Sequence, residues 1–368
     1  MKSTPWVAVD LAALTGNFHR VAKATPNATP AAVVKCDAYG LGLVAVSRTL
    51  AIKEKCRIFF VAHAETGARL RAALADIAPQ AEIFIFNGPF EDTLELFRNH
   101  RLTPVLNSLE QVRFWATAEP GAPAAVHVDT GMNRLGLPEE EIAAVRSIPD
   151  LSVNVIMSHF ACASTPGAPM LDTQYAAFRR IAAAFPGARA SLASTGGAMI
   201  SKDYGFDLTR LGVGVYGVGP FDGPHPEIQP VARLVAPVIQ VRRIPAGATT
   251  GYDQTFLLER DSVLATVALG YGDGFPRAGS NKARVFLAGA PCPIVGRISM
   301  DLIVIDATDA PRPVATGDEA EFYGPALPIE AAAAACGTIG YELLTGLGPR
   351  VERRYLWNDA PADPHLTG

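Results

Sequence analysis

The chain is poor in charge and in cysteine, and each shortage narrows what it can be. Only 18% of its 368 residues are charged, the formal net charge is -4, and no dense Lys/Arg block occurs. Nucleic acid and anionic membrane are therefore not expected partners, since phosphate recognition needs a concentrated basic face. The five cysteines, Cys36, Cys56, Cys162, Cys292 and Cys336, are scattered, and none forms a C-x-x-C pair. An odd count without metal-ligand spacing reads as reduced thiols in a cytoplasmic protein. No apolar stretch approaches the length that spans a bilayer, and the run from Met1 to Asp10 is too short for a secretory segment. Walker A, H-E-x-x-H and EF-hand patterns are missing, so metal and nucleotide chemistry have no support.

Apolar residues make up 49% of the chain, enough for a sizeable core, and the length suits two domains. From about Ala31 to Gly212, short β-rich runs ending in polar or glycine residues alternate with helical Ala/Leu/Arg/Glu stretches. Strands are expected at Ala31–Lys35, Arg57–Ala62, Glu82–Asn87, Leu102–Asn107, Ala124–Thr130, Ser152–Phe160, Ala188–Thr195 and Phe206–Gly212. Helices are expected at Leu43–Lys53, Glu65–Ala73, Phe90–Asn99, Ser108–Ala118, Glu139–Arg146 and Thr173–Phe185. Repeated strand–helix units demand parallel strands joined by crossover helices. Eight of them fit a closed α/β architecture, the (β/α)8 TIM-type barrel, with a doubly wound open sheet as the alternative.

After Gly219 the composition changes. Pro220, Pro224, Pro226 and Pro230 each remove a backbone donor and mark a linker. The β-branched runs Val231–Ile244, Ser262–Leu269, Ala283–Leu287, Cys292–Val295 and Leu302–Asp306 then predict a C-terminal mostly-β domain, closed by an Ala-rich helix at Ile329–Cys336. The expected division is 11–230 for the barrel and 231–368 for the β domain, with a first strand at about 4–10 able to join the latter. The polar tail after Trp357 is expected to fray.

A barrel works at the C-terminal ends of its strands. Those positions hold Lys35, Asp129-Thr-Gly-Met-Asn-Arg134, Ser158-His159-Phe160, Ser194-Thr195-Gly196-Gly197 and Thr209-Arg210-Leu211-Gly212. A lysine closing the apolar run Pro30–Lys35 is ordinarily a solvated strand end. Followed by the glycine-punctuated Cys36–Gly42, it is also where an amine would condense with an aldehyde cofactor such as pyridoxal 5′-phosphate. The glycine turns at Thr195–Gly197 and Gly212-Val213 suit a phosphate, or simply a tight turn. His159 reads either as a core histidine or as a ring stacked on a flat cofactor. Arg210 sits between apolar residues and is hard to dismiss, because buried arginine is rare unless paired or functional. Against a pyridine nitrogen it would keep that nitrogen unprotonated. Gly212-Val-Gly-Val-Tyr-Gly217 matches G-x-G-x-x-G, but prolines follow it and no acid lies about 20 positions on, so a dinucleotide site is rejected. In the β domain, Tyr271 lies between Gly270 and Gly272, and Gly296-Arg-Ile-Ser-Met300-Asp301 joins two strands.

Val34-Lys35-Cys-Asp-Ala-Tyr39-Gly-Leu-Gly, Asp129 to Gly136, Ser158-His159-Phe160, Arg210-Leu-Gly, Gly270-Tyr271-Gly-Asp-Gly and Gly296 to Asp301 together resemble bacterial alanine racemase. The resemblance covers nearly the whole chain in the family's order. It implies pyridoxal 5′-phosphate held as a Schiff base on Lys35, and interconversion of L- and D-alanine with Lys35 and Tyr271 as bases on opposite faces of the substrate Cα. It further implies Arg134 near the cofactor's phenolic oxygen and the substrate carboxylate, His159 beside the ring, and Arg210 on the pyridine nitrogen. Tyr39, Thr195, Gly212 and Val213 would hold the phosphate. Tyr271 and Met300 would reach the site of a second subunit in a homodimer with shared active sites. D-alanine for peptidoglycan, or its catabolism, is the implied context.

Several positions depart from the family's pattern. His127 stands where many members carry a carbamylated lysine that neutralises a nearby arginine; an imidazole cannot form that carbamate. Leu41 replaces a frequent histidine, Thr195 a more usual serine, and Gly272 a frequent alanine, while a further phosphate-contacting tyrosine has no clear match. Two alternatives remain. One is a broader-specificity racemase or a related barrel decarboxylase, which would lack Tyr271. The other is a non-catalytic pyridoxal phosphate carrier, which is usually a bare barrel.

Overall fold

The computed structural model describes residues 4–368. Met1–Ser3, including the early lysine of the N-terminal run, lie outside them. Eight strands form one all-parallel sheet: β2 (Thr29–Val33), β3 (Ile58–Val61), β4 (Glu82–Ile85), β5 (Thr103–Leu106), β6 (Pro123–His127), β7 (Ser152–Met157), β8 (Arg189–Ser191) and β9 (Leu208–Leu211). Their order is β8-β7-β6-β5-β4-β3-β2-β9. The sheet closes on itself where Arg210 N donates to Ala193 O at 3.0 Å, beside a parallel bridge between Ser194 and Arg210. That closure makes a (β/α)8 barrel and removes the open-sheet alternative.

Both faces of these strands are buried, which is why they read as continuous apolar runs rather than alternations. Ala31, Val33, Phe60, Phe84, Val105 and Met157 pack together inside the barrel. Ala32, Phe59, Val61, Ile83, Ile85 and Leu106 point outward, toward the helix layer. The crossover helices are α2 (Leu43–Lys53), α3 (Ala64–Ala73), α4 (Leu94–His100), α5 (Leu109–Ala118), α6 (Ile142–Arg146), α7 (Pro169–Ala182) and α8 (Thr195–Ile200). The eighth helical place is taken from the N-terminal side by α1 (Leu11–Ala24), which packs on α8, β9 and the 3-10 turn Val213–Tyr216. Asp10 starts α1, its Oδ1 accepting Ala12 N and Ala13 N at 2.9 Å. The sequence reading had no helix there.

The second domain is a largely antiparallel sheet. Its strands are β10 (Ala232–Ile244), β13 (Ser262–Val267), β14 (Arg284–Leu287), β15 (Ala290–Pro293), β16 (Ile303–Asp306), β17 (Glu319–Tyr323), β18 (Glu352–Trp357) and β19 (Ala360–Pro361), with a separate two-stranded ribbon of β11 (Thr249–Thr250) and β12 (Phe256–Leu257). The N-terminal strand β1 (Trp6–Asp10) also belongs here, antiparallel to β10 and parallel to β18. α9 (Ile329–Cys336) and α10 (Gly340–Thr345) lie beside the cavity described below. The tail corrects the expectation of fraying: β19 pairs with β18, Leu366 is buried, and Arg48 donates to His365 O and to Asp76.

Candidate active site

A cavity of about 1030 Å³ opens at the C-terminal ends of the barrel strands. Lys35, Tyr39, Arg134, His159, Thr195, Arg210, Gly212 and Val213 all line it. Tyr271 and Met300 do not; they lie at the surface of the β domain, 43% and 55% exposed.

Lys35 leaves β2 through Val34, whose N–H donates to Phe60 O at 2.9 Å. The next residues form a left-handed turn: Cys36, Asp37, Ala38 and Tyr39 have φ of 52°, 54°, 53° and 56°. Left-handed backbone costs L-residues about 1–2 kcal/mol each, so the turn needs external support. Ala38 is fully buried, and Asp37 Oδ1 accepts Leu43 N at 3.1 Å, tying the turn to α2. Arg353 of β18 donates from Nε to Gly40 O at 3.1 Å and from its Nη atoms to Leu347, Gly348 and Val351 carbonyls. Gly40 has φ of 80°, and a Cβ there would meet Leu344 O at 2.2 Å. The second domain thus grips the lysine-bearing turn directly.

Burial lowers the Lys35 pKa; Cys36 opposes this, and Arg134 and Arg210 add to it. An amine pushed toward neutrality can attack a carbonyl carbon. Tyr39 stacks on Tyr216 with ring centroids 4.2 Å apart, and Tyr216 donates to Val33 O at 2.7 Å. Burial raises the Tyr39 hydroxyl, which therefore remains a protonated donor.

Arg210 is buried without a carboxylate partner among the described residues. Nη1 donates to Ser191 O at 3.0 Å and Ser191 Oγ at 2.6 Å, and Nη2 to Ser158 O at 2.7 Å and Leu192 O at 3.1 Å. No protein acceptor meets Nε among the described residues. Burial alone brings its pKa down to about 10. Nη2 also lies 3.3 Å from His159 Nδ1; a guanidinium only donates, so Nδ1 accepts and His159 is neutral with its proton on Nε2. Burial first, then Arg210 and Arg134, hold the His159 pKa well below its ordinary value.

Arg134 stands on a loop that Asp129 organises: Oδ1 accepts Gly131 N and Met132 N at 2.9 and 2.8 Å, and Oδ2 accepts Asn133 N at 2.8 Å. Opposite, Thr195 Oγ1 accepts Gly212 N at 3.0 Å. A Cβ on Gly212 would meet Tyr39 Oη at 2.7 Å, so glycine keeps this corner open. The wall therefore offers an amine whose pKa is lowered by burial, an unmet guanidinium Nε and a corner of backbone and hydroxyl donors. That donor set fits a flat, hydrogen-bond-accepting ring bearing an aldehyde and an anionic group.

Tyr271 opens a 3-10 turn braced against Met300: Tyr271 N donates to Ser299 O at 3.0 Å and Gly272 N to Met300 O at 2.9 Å. Asp273 is buried and pairs with Arg350 Nε at 3.0 Å, and the same arginine reaches Asp301 at 2.7 Å. The cavity also includes His127, noted in the sequence for its departure from the family's lysine, and Asn107 and Tyr341, which the sequence reading did not assign to a site. Asn107 and His127 sit at barrel strand ends, which was the available signal. Tyr341 arrives from α10, where no strand-end rule applies.

Fold and site define the class: a two-domain barrel enzyme of the kind that carries an aldehyde cofactor on a strand-end lysine. The N-terminal domain model of alanine racemase matches residues 9–220 and its C-terminal domain model matches residues 231–355. The chain belongs to the alanine racemase family. It is 42% identical over 356 residues to alanine racemase of Methylobacterium sp. (strain 4-46), covering 95% of this chain and 96% of that one. It is 44% identical over 352 residues to that of Jannaschia sp. (strain CCS1), covering 95% and 98%. The crystal structure of alanine racemase from Bartonella henselae, with covalently bound pyridoxal phosphate, superposes with a TM-score of 0.90 at 36% identity, over 96% of this chain and 100% of that one.

Proposed function

We propose that this chain interconverts L- and D-alanine with pyridoxal 5′-phosphate held on Lys35. The observation that carries this is the partly buried Lys35, pKa lowered, in one cavity with two arginines that meet no carboxylate among the described residues. Lys35 would anchor the cofactor, Arg210 Nε would donate to its ring nitrogen, and His159 would lie beside the ring. Tyr39, Thr195 and the backbone of Gly212 and Val213 would receive its phosphate. When bound, the cofactor supplies an electron sink that acidifies the Cα–H of the substrate. Because Arg210 stays charged, a second proton on the ring nitrogen is disfavoured, and simple reprotonation is favoured over side reactions.

Inversion needs a base on each face of Cα, one to remove a proton and one to return it. Lys35 Nζ serves one face and Tyr271 Oη the other, with Arg134 binding the substrate carboxylate. A tyrosine works as a base only beside positive charge, which Arg134 and Arg210 would supply to the Tyr271 of a second copy that entered the cavity. Tyr271 and Met300, exposed on their own subunit, suit a homodimer in which each copy completes the other's site. Among the described residues no helix is long and apolar enough to cross a membrane, which agrees with a cytoplasmic enzyme making D-alanine for the cell wall or degrading it.

Incubation with L-alanine in deuterated water should give D-alanine carrying deuterium at Cα. Deuteration without the D-isomer would sink the racemase reading, and no exchange at all would favour a carrier. Tyr271→Phe and Lys35→Ala should each be inactive alone, while a remixed sample recovers about a quarter of wild-type activity. Half of randomly paired dimers would be mixed, each with one intact site. No recovery would argue against sharing.

A further inference from the structure

Tyr216 does not line the cavity, yet it touches or carries three of the segments that do. It closes the 3-10 turn Val213–Tyr216, which begins directly after Gly212. Its ring stacks on that of Tyr39, with centroids 4.2 Å apart and planes 22° apart. Its hydroxyl donates at 2.7 Å to the carbonyl of Val33, the last residue of β2 and two before Lys35. Tyr216 is fully buried, and burial raises its hydroxyl well above the ordinary tyrosine value, with Tyr39 and Cys56 adding to the effect. The group therefore stays a protonated donor, and the bond to Val33 O persists.

Tyr39 needs such a support. It ends the left-handed turn with φ of 56°, a conformation that L-residues hold only when their surroundings impose it. Its hydroxyl has no hydrogen-bond partner among the described residues and lies where a Cβ on Gly212 would be 2.7 Å away. With no bond of its own, that hydroxyl is placed by packing alone, and the packed face is the Tyr216 ring. We propose that Tyr216 is a positioning residue for the anion corner: stacked on Tyr39 and anchored to Val33 O, it keeps the Tyr39 hydroxyl beside Gly212, free to donate to a phosphate. This rests on the reading that Tyr39 receives the cofactor's phosphate. A buried aromatic that merely filled the core would favour no one ligand group over another. One that acts through a single hydroxyl favours only the anion that hydroxyl meets, since hydrogen bonds to a charged acceptor are the strong ones.

The test takes the full-length enzyme, freed of cofactor, and titrates it by absorbance with pyridoxal 5′-phosphate and with pyridoxal, which keeps the aldehyde but lacks the phosphate. Tyr216→Leu removes ring and anchor together. It should weaken binding of the phosphate form about tenfold, as expected for losing a hydrogen bond to a charged group, and leave pyridoxal within about twofold of wild type. Tyr216→Phe keeps the stacked ring and should recover most of the loss. In a Tyr39→Phe background, Tyr216→Leu should cost almost nothing further, because the hydroxyl it places is already gone. Equal weakening of both aldehydes, or a loss that adds in full to that of Tyr39→Phe, would show a structural role only and overturn the proposal. Tyr216→Phe tests it even where Tyr216→Leu does not fold: a loss as large as that of Tyr39→Phe would mean that the stack does not place the hydroxyl. If Tyr39→Phe weakens the phosphate form and Tyr216→Leu does not, this inference alone fails. If Tyr39→Phe binds it like wild type, the reading of Tyr39 fails first.

Discussion

Arg210 is a cation kept in the interior by neutral acceptors alone, four oxygens and His159 Nδ1 at hydrogen-bond distance. Such a group is stable only while its shell is complete, and one donor remains for a ligand. The same economy appears at Gly212, where the missing side chain leaves the Tyr39 hydroxyl its place. Gly212→Ala should push Tyr39 aside and weaken retention of the cofactor roughly tenfold on dialysis, with little change in thermal stability of the cofactor-free protein. Retention equal to wild type would count against a phosphate at this corner. Lys35, Arg210 and Thr195 were legible in the sequence because a barrel presents its strand ends to one rim. Asn107 and Tyr341 were not. Asn107 shows itself only through the oxygen it turns toward His127 Nδ1 at 2.9 Å, and Tyr341 is brought in by the other domain, a long-range contact no local pattern encodes.

Among the elements, the left-handed turn Cys36–Tyr39 most contradicts local preference, and it lies directly beyond the lysine. Four L-residues there are held by Arg353, by the buried Ala38 and by the Asp37 contact with Leu43. Cys36 is exposed, so its substitution isolates the backbone effect. Cys36→Val should destabilise the enzyme by about 1 kcal/mol or more, since a β-branched residue tolerates this region poorly. Cys36→Gly should be neutral or stabilising by up to about 1 kcal/mol, the relief of strain being offset by a more flexible unfolded chain. Thermal unfolding of the two variants in parallel checks the pair; Val and Gly behaving alike would argue that the turn is not strained. The barrel strands were readable as apolar runs, and α2 and α9 fall where expected. Strand ends were less readable: Lys35 and Asn107 continue the pattern past the last ladder bond, because residue type does not report where pairing stops. α1 escaped notice because its partners, β9 and the turn after it, lie some two hundred residues away.

At the level of the whole molecule, the two neutral histidines make the fold sensitive to acid. An unfolded histidine takes its proton near pH 6.5, whereas folded His127 resists until about pH 4, and His159 too is held well below its ordinary value. Between those values the unfolded chain binds more protons, so stability must fall as pH drops through the window and level off above it. For His127 the loss amounts to roughly 3 kcal/mol by the bottom of the window. His127→Gln should reduce the drop in denaturant-measured stability between about pH 7.5 and 4.5 by roughly 2 kcal/mol. An unchanged drop would mean that His127 is not held neutral.

The placement of β1 has a consequence for how the chain is made. Trp6–Asp10 leaves the ribosome before either of its neighbours, Ala232–Val235 of β10 and Glu352–Leu356 of β18. At about 5–20 residues per second, the first partner follows after roughly 10–45 s and the second after roughly 20–70 s. Through that interval the strand carries Val7 and Val9, both fully buried in the finished protein, with nothing to cover them. The barrel can close around α1 during synthesis, but the sheet that grips the lysine turn is completed only when β18 has been released. The nascent enzyme therefore has a barrel before it has a supported Lys35, and a translation product cut short before β18 lacks Arg353, the contact that holds the lysine turn in place.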